Sequence, residues 1–140
     1  MFMKDTAHIQ LLKKLNLKVT QARLAILEIL QHEKPLDVTE IAYQLVKRKV
    51  ATDQVTIYRI LDVFCEKKVA QRIQFQEDKF RYELITNDHH HLICQKCGEV
   101  QDISSCPVTK LEAEIYTKQN FLVREHSLEF FGLCLHCQQT

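Results

Sequence analysis

Asp53-Gln54-Val55-Thr56-Ile57-Tyr58-Arg59-Ile60-Leu61-Asp62-Val63-Phe64 is followed, past Cys65 to Lys68, by Val69-Ala70-Gln71-Arg72-Ile73-Gln74-Phe75. Between the two runs the hydrophobic period drops from about 3.6 to about 2. The first run places Ile57, Ile60, Leu61 and Phe64 on one stripe of a helix that begins near Thr52 or Asp53. Arg59 falls opposite that stripe and Tyr58 beside it, either as ordinary exposed side chains or as contacts reaching outward into a nucleic-acid groove. The second run reads as a strand, paired through Gln76-Glu77-Asp78 with Lys79 to Ile85, which makes a hairpin.

Upstream, three more helices are predicted. Residues 4–15 carry Ile9, Leu11, Leu12 and Leu15 at helical spacing until Asn16 breaks the pattern. Thr20 is a good N-cap for a helix through Ala22, Ile26, Ile29 and Leu30. Asp37-Val38-Thr39-Glu40 reads as a capping box opening a third helix through Ile41, Leu45 and Val46. A helix-turn-helix core followed by a hairpin is a winged helix, expected over residues 1–85. Thr86-Asn87-Asp88 reads as a hinge. Residues 89–140 read as a small α/β unit, with strands at His89 to Cys94 and Glu99 to Ile103, a helix at Val108 to Lys118 opened by Pro107, and a long strand from Phe121 to Phe131. A unit of that size needs a staple, a partner subunit or both.

Metal-ligating side chains crowd this second unit. Cys94-x-x-Cys97-Gly98 and Gly132-Leu133-Cys134-x-x-Cys137 are two matched turns, and the only two glycines of the chain adjoin them. Both thiolates of such a turn can face one ion, and a glycine after the turn can take the left-handed conformation. The spacing favours a closed structural Zn(II) site over a redox dithiol or a disulfide, since cysteines of a cytosolic chain stay reduced. No apolar run approaches the length of a membrane span and no signal-peptide core follows Met1, so a cytoplasmic protein is expected.

The histidine cluster sorts by strand geometry, because successive side chains point to opposite faces. His89 and His91 share one face, with Glu83 and Asp102 the carboxylates best placed to join them. Asp88 and His90 share the other, where His126, on the same side of its strand as Leu128 and Phe130, can meet them. Cys65 reads as a buried apolar side chain and Cys106 as a residue flanking the helix. Charge divides along the same boundary. Residues 1–87 hold 15 Lys and Arg against 11 Asp and Glu, and residues 88–140 hold 4 against 7. A basic first half suits DNA, although charges that only solvate a face would produce the same count.

Leu17-Lys18-Val19-Thr20-Gln21-x-Arg23, Thr56-Ile57-Tyr58-Arg59-Ile60-Leu61, Tyr82-Glu83-Leu84, the block from His89 to Gly98, and His126-Ser127-Leu128 with Gly132-Leu133-Cys134-x-x-Cys137 together resemble the ferric uptake regulator superfamily. The resemblance runs through nearly the whole chain. It implies a homodimeric, metal-responsive transcriptional repressor of metal-homeostasis genes, not an enzyme, with an N-terminal winged helix and a C-terminal dimerisation unit. It implies DNA contacts by Lys18, Thr20 and Arg23 near the minor groove and backbone, and by Tyr58 and Arg59 in the major groove. It further implies a sensing site at Glu83, His89, His91 and Asp102, filled by Fe(II), Zn(II) or Mn(II), and a second site at Asp88, His90 and His126.

Two departures stand out. Iron- and peroxide-sensing members usually place a histidine where this chain has Pro35, with His32 and Glu33 the nearest substitutes. An acidic ligand from the dimerisation helix aligns with Thr109, with Glu112 one turn on. Ser105-Cys106-Pro107 resembles some zinc-uptake regulators and Glu83 the iron type, which leaves the inducing metal open. The rival readings are a peroxide-sensing regulator of the same superfamily and a metalloenzyme using the histidine-rich site; no His-Glu-x-x-His motif supports the latter.

Overall fold

A computed structural model describes residues 2–32, 34–75, 77–85, 90–103 and 107–139, with side chains from residue 6. The chain divides into two compact units, Met1–Ile85 and Thr86–Thr140. The expected hinge, residues 86–88, lies outside the described residues, as do His89, Glu33 and Cys106.

The first unit comprises α1 (Phe2–Lys14), α2 (Gln21–His32), α3 (Val38–Lys47), α4 (Gln54–Glu66), β1 (Ala70–Ile73) and β2 (Arg81–Leu84). Its core holds residues that the helical stripes select, Leu12, Ile26, Ile29, Ile41, Leu45, Ile57, Leu61 and Phe64, joined by Leu27, which lies off the expected stripe; all are essentially inaccessible. Val46, placed on the same stripe of α3 by spacing, is 74% exposed, one position past the buried Leu45 where the helix turns to solvent.

Local chemistry fixes the helix starts. The Asp37 side chain accepts from the Glu40 N–H at 2.8 Å while Glu40 accepts from the Asp37 N–H at 2.9 Å, the reciprocal capping box. Asp53 accepts from the Thr56 N–H at 2.7 Å and caps α4.

Three helices end in one way, each with a left-handed residue that is not glycine. Asn16, Lys49 and Lys68 have φ of 59°, 58° and 60°. The following residue donates its N–H back five positions, as in Leu17 to Leu12, Val50 to Leu45 and Val69 to Phe64. A lysine in this conformation stores roughly 1–2 kcal/mol, of which glycine's larger unfolded-state entropy returns part. Lys68→Gly is therefore expected to stabilise the first unit by about 0.5–1 kcal/mol in chemical denaturation. A destabilised variant would show that the lysine side chain contributes more than its backbone costs.

The wing is tied to the start of α3. β1 and β2 pair antiparallel, and Leu36 adds an isolated bridge to Tyr82, with N–H to O distances of 3.0 and 2.8 Å. Lys79 Nζ donates to Asp37 at 2.6 Å, and Arg81 donates to Glu77 at 2.6 Å and to the Pro35 carbonyl at 3.1 Å. Burial alone would raise the Asp37 pKa, but Lys79, the Glu40 N–H and Arg81 outweigh it and hold the carboxyl below its ordinary value. Pro35 thus occupies a buried position that anchors the wing.

In the second unit, β3 (His90–Cys94) lies between β4 (Val100–Ile103), antiparallel, and β5 (Glu129–Gly132), parallel, with α5 (Thr109–Gln119) and α6 (Leu135–Gln138) completing it. The long strand expected from Phe121 is a correction. Only Glu129–Gly132 pairs, and residues 120–128 form neither helix nor strand. Phe121, Leu122 and Phe130 are 62%, 65% and 44% exposed, so the run is apolar without being core.

Candidate metal centres and recognition helix

The four cysteines converge because β3 and β5 run in parallel. Their register sets Cys94 opposite Gly132, and the Gln95 N–H donates to the Gly132 carbonyl at 2.8 Å. Past β3 the chain turns back on itself. The Cys94 N–H donates to the Glu99 carbonyl and the Gly98 N–H to the Cys94 carbonyl, both at 2.9 Å. Gly98 has φ +79°, the left-handed backbone expected of it, whereas Gly132 is an ordinary strand residue. After β5, Cys134 is the N-cap of α6 and Cys137 lies within that helix, a single turn too short to show periodicity in the sequence.

The four sulfurs lie within 4.8 Å of one another, and Cys97 Sγ is 3.8 Å from Cys134 Sγ. Two sulfurs on a tetrahedral ion with bonds of about 2.3 Å are separated by about 3.8 Å, so this spacing fits one Zn(II)-sized ion. Electrostatics within the cluster agree. Backbone N–H groups of Cys134 and Cys97 pull the Cys94 thiol down to about 6, with the Cys134 N–H 3.4 Å from its sulfur. Burial and the neighbouring sulfurs push Cys137 up to about 12. For Cys97 the Glu99 N–H acts downward, but Cys94, burial and Cys134 outweigh it and raise the thiol. Cys97 and Cys137, both raised, call for a cation among the sulfurs before they can serve as thiolates.

The same strand carries the histidines. In register, His91 stands opposite Asp102 on β4, and its Nε2 lies 3.7 Å from the Asp102 carboxylate. On β5 the residue opposite His91 is Glu129, whose carboxylate accepts from Ser127 Oγ at 2.9 Å. His90 meets a different set. Its ring centroid is 5.1 Å from that of His126, and His126 Nδ1 lies 2.5 Å from Glu112 on α5. His90 is 5% exposed, and its Nε2 finds no hydrogen-bond partner among the described residues. A buried ring nitrogen left in this way suits metal ligation. Glu112, one turn past the aligned Thr109, is the acid that comes to this cluster. Sequence spacing could only name it as an alternative.

Glu83, in β2 of the first unit, is 6% exposed and accepts from Gln71 Nε2 at 2.6 Å. Asp88 and His89 fall outside the described residues.

On α4, Tyr58 and Arg59 are exposed while Ile57, Ile60 and Leu61 are buried. Tyr58 also lines a cavity of about 230 Å³ with Thr39, Lys79 and Phe80. Ahead of α2, Thr20 Oγ1 accepts from the Arg23 N–H at 3.2 Å, and Arg23 Nη1 donates to the Lys18 carbonyl at 2.7 Å. Arg23 thereby fixes the loop that presents the exposed Lys18.

A helix-turn-helix with a wing, followed by an α/β unit built on a four-thiol cluster and a set of buried histidines, defines the class of metal-binding winged-helix regulators. The chain belongs to the Ferric uptake regulator family, which matches residues 14–131. It is 34% identical to the ferric uptake regulation protein of Neisseria gonorrhoeae over 139 residues, covering 97% of this chain and 96% of that one. The crystal structure of the Vibrio cholerae ferric uptake regulator is similar at 35% identity and a TM-score of 0.78, covering 89% of this chain and 98% of that one. The ferric uptake regulator of Francisella tularensis with iron is similar at 27% identity and a TM-score of 0.74, covering 86% and 94%. The family consists of metal-responsive transcriptional regulators that bind DNA and form dimers, and this chain is such a regulator. Among the described residues no helix is long and apolar enough to cross a membrane.

Proposed function

We propose that the chain is a cytoplasmic, homodimeric repressor of metal-uptake genes that binds a palindromic operator when a regulatory metal is bound. Cys94, Cys97, Cys134 and Cys137 hold structural Zn(II). Glu83, His89, His91 and Asp102 form the sensing site for Fe(II) or Zn(II), with Mn(II) a further candidate. Asp88, His90 and His126 form a second site, which Glu112 joins. The observation that carries this reading is that one short strand, β3, presents His90 and His91 at its start and Cys94 at its end. A regulatory ligand set is thereby built on the strand that the thiolate cluster anchors.

The mechanism follows from symmetry. Two winged helices related by a two-fold axis fit two half-sites only at one spacing, so a metal held by residues of both units would favour the DNA-competent arrangement. Exposed Leu111, Tyr116, Phe121, Leu122 and Phe130 in the second unit support a partner subunit that covers them. Lys18 and the loop fixed by Thr20 and Arg23 suit the phosphate backbone, and Tyr58 and Arg59 suit the major groove.

A DNA-binding titration of metal-stripped protein with Zn(II), Fe(II) and Mn(II) in parallel, at fixed salt, tests the reading. Binding that never depends on metal would overturn it. In the same assay Arg59→Ala is expected to cost at least ~1 kcal/mol of operator affinity while stability stays within about 0.5 kcal/mol. Unchanged affinity would show that α4 does not face the groove.

A further inference from the structure

We infer that Gln71 is a positioning residue of the sensing site, holding the Glu83 carboxylate in the orientation a metal requires. The inference rests on the reading of Glu83 as a ligand. β1 and β2 pair with Gln71 directly opposite Glu83, so the ladder itself fixes the distance between the two side chains. The Gln71 amide donates to Glu83 Oε1 at 2.6 Å, the length of a strong bond onto a charged acceptor. Glu83 is 6% exposed, and a carboxylate that far from water must be held by donors.

The identity of the donor matters as much as its distance. A lysine or arginine opposite Glu83 would neutralise the carboxylate and compete with an incoming cation. An amide supplies an N–H to orient Glu83 without bringing a competing positive charge of its own. Gln71 is itself solvent-exposed, so its own side chain is not needed to fill the core.

The test uses the full-length dimer with its structural zinc in place and Co(II) as the probe of the sensing site, read by its d–d spectrum. Gln71→Met keeps the length of the side chain and removes the donor. It is expected to weaken Co(II) binding by about 10–100-fold, the usual cost of losing a hydrogen bond to a metal ligand, with zinc content unchanged. Gln71→Lys keeps a donor but adds a competing charge, and is expected to weaken Co(II) binding as well, more at low salt than at high. Co(II) affinity that is unchanged or tighter in Gln71→Met overturns the inference. Glu83→Gln separates the two layers. If it loses Co(II) binding while Gln71→Met does not, the positioning role fails and the sensing site stands. If neither variant changes the affinity, Glu83 is not a ligand, and the inference falls with that reading.

Discussion

Cys94→Ser is expected to release the tightly held zinc and unfold the second unit. Cys94 ends β3, is buried, and is the sulfur that accepts the Cys134 N–H, so it joins the two ends of the unit. Among the described residues of this unit, the buried apolar side chains are Val100 and the cysteines Cys94 and Cys137. With so little core, ion binding supplies much of the stability, and structural zinc in small domains contributes about 10–16 kcal/mol of apparent binding free energy. The variant should show no stoichiometric zinc by elemental analysis, lose its cooperative unfolding transition for the second unit, and dissociate to monomers. A stable dimer with only one zinc fewer would refute a structural role.

Acid should act in the same direction. Cys94, lowered to about 6, is a thiolate at neutral pH, whereas Cys137, raised to about 12, keeps its proton until a cation arrives. Zinc loading therefore expels protons, and its affinity falls as pH falls.

Much of this was legible because the relevant signals are local. The Asp37 to Glu40 capping box, the cap at Asp53 and the cysteine turns each lie within a few residues, and each appears as the spacing indicates. What spacing could not supply depends on register or on a second chain. Gln71 becomes visible only once the hairpin sets it opposite Glu83. Glu112, only an alternative to Thr109 in the sequence, is singled out once α5 brings it to His126. The run from Phe121 to Phe131 is β-prone and apolar, which reads as a buried strand, but hydrophobicity does not distinguish a core from a surface kept for a partner. The α6 turn is too short for any periodicity to reveal.

His91→Ala should separate the switch from the scaffold. His91 is buried beside Asp102 at the start of β3, three residues before Cys94, and contributes no thiolate. Its loss should leave the structural zinc and the dimer intact while one regulatory metal is lost. If metal in the sensing site drives operator binding, the variant binds DNA poorly even with excess Fe(II), Zn(II) or Mn(II). Removing a single ligand or its support commonly costs about 10–100-fold in metal affinity, enough to abolish activation at concentrations that saturate the wild type. His90→Ala is the companion, because it disturbs the cluster with His126 and Glu112 instead. A larger loss of activation in His90→Ala than in His91→Ala would move the sensor to that second cluster. The pH dependence has a definite sign. Imidazole binds metal only when neutral, so metal-dependent operator affinity should weaken as pH falls from about 8 to about 6. A response that stays flat across that range would mean that imidazole ligation does not couple metal to DNA.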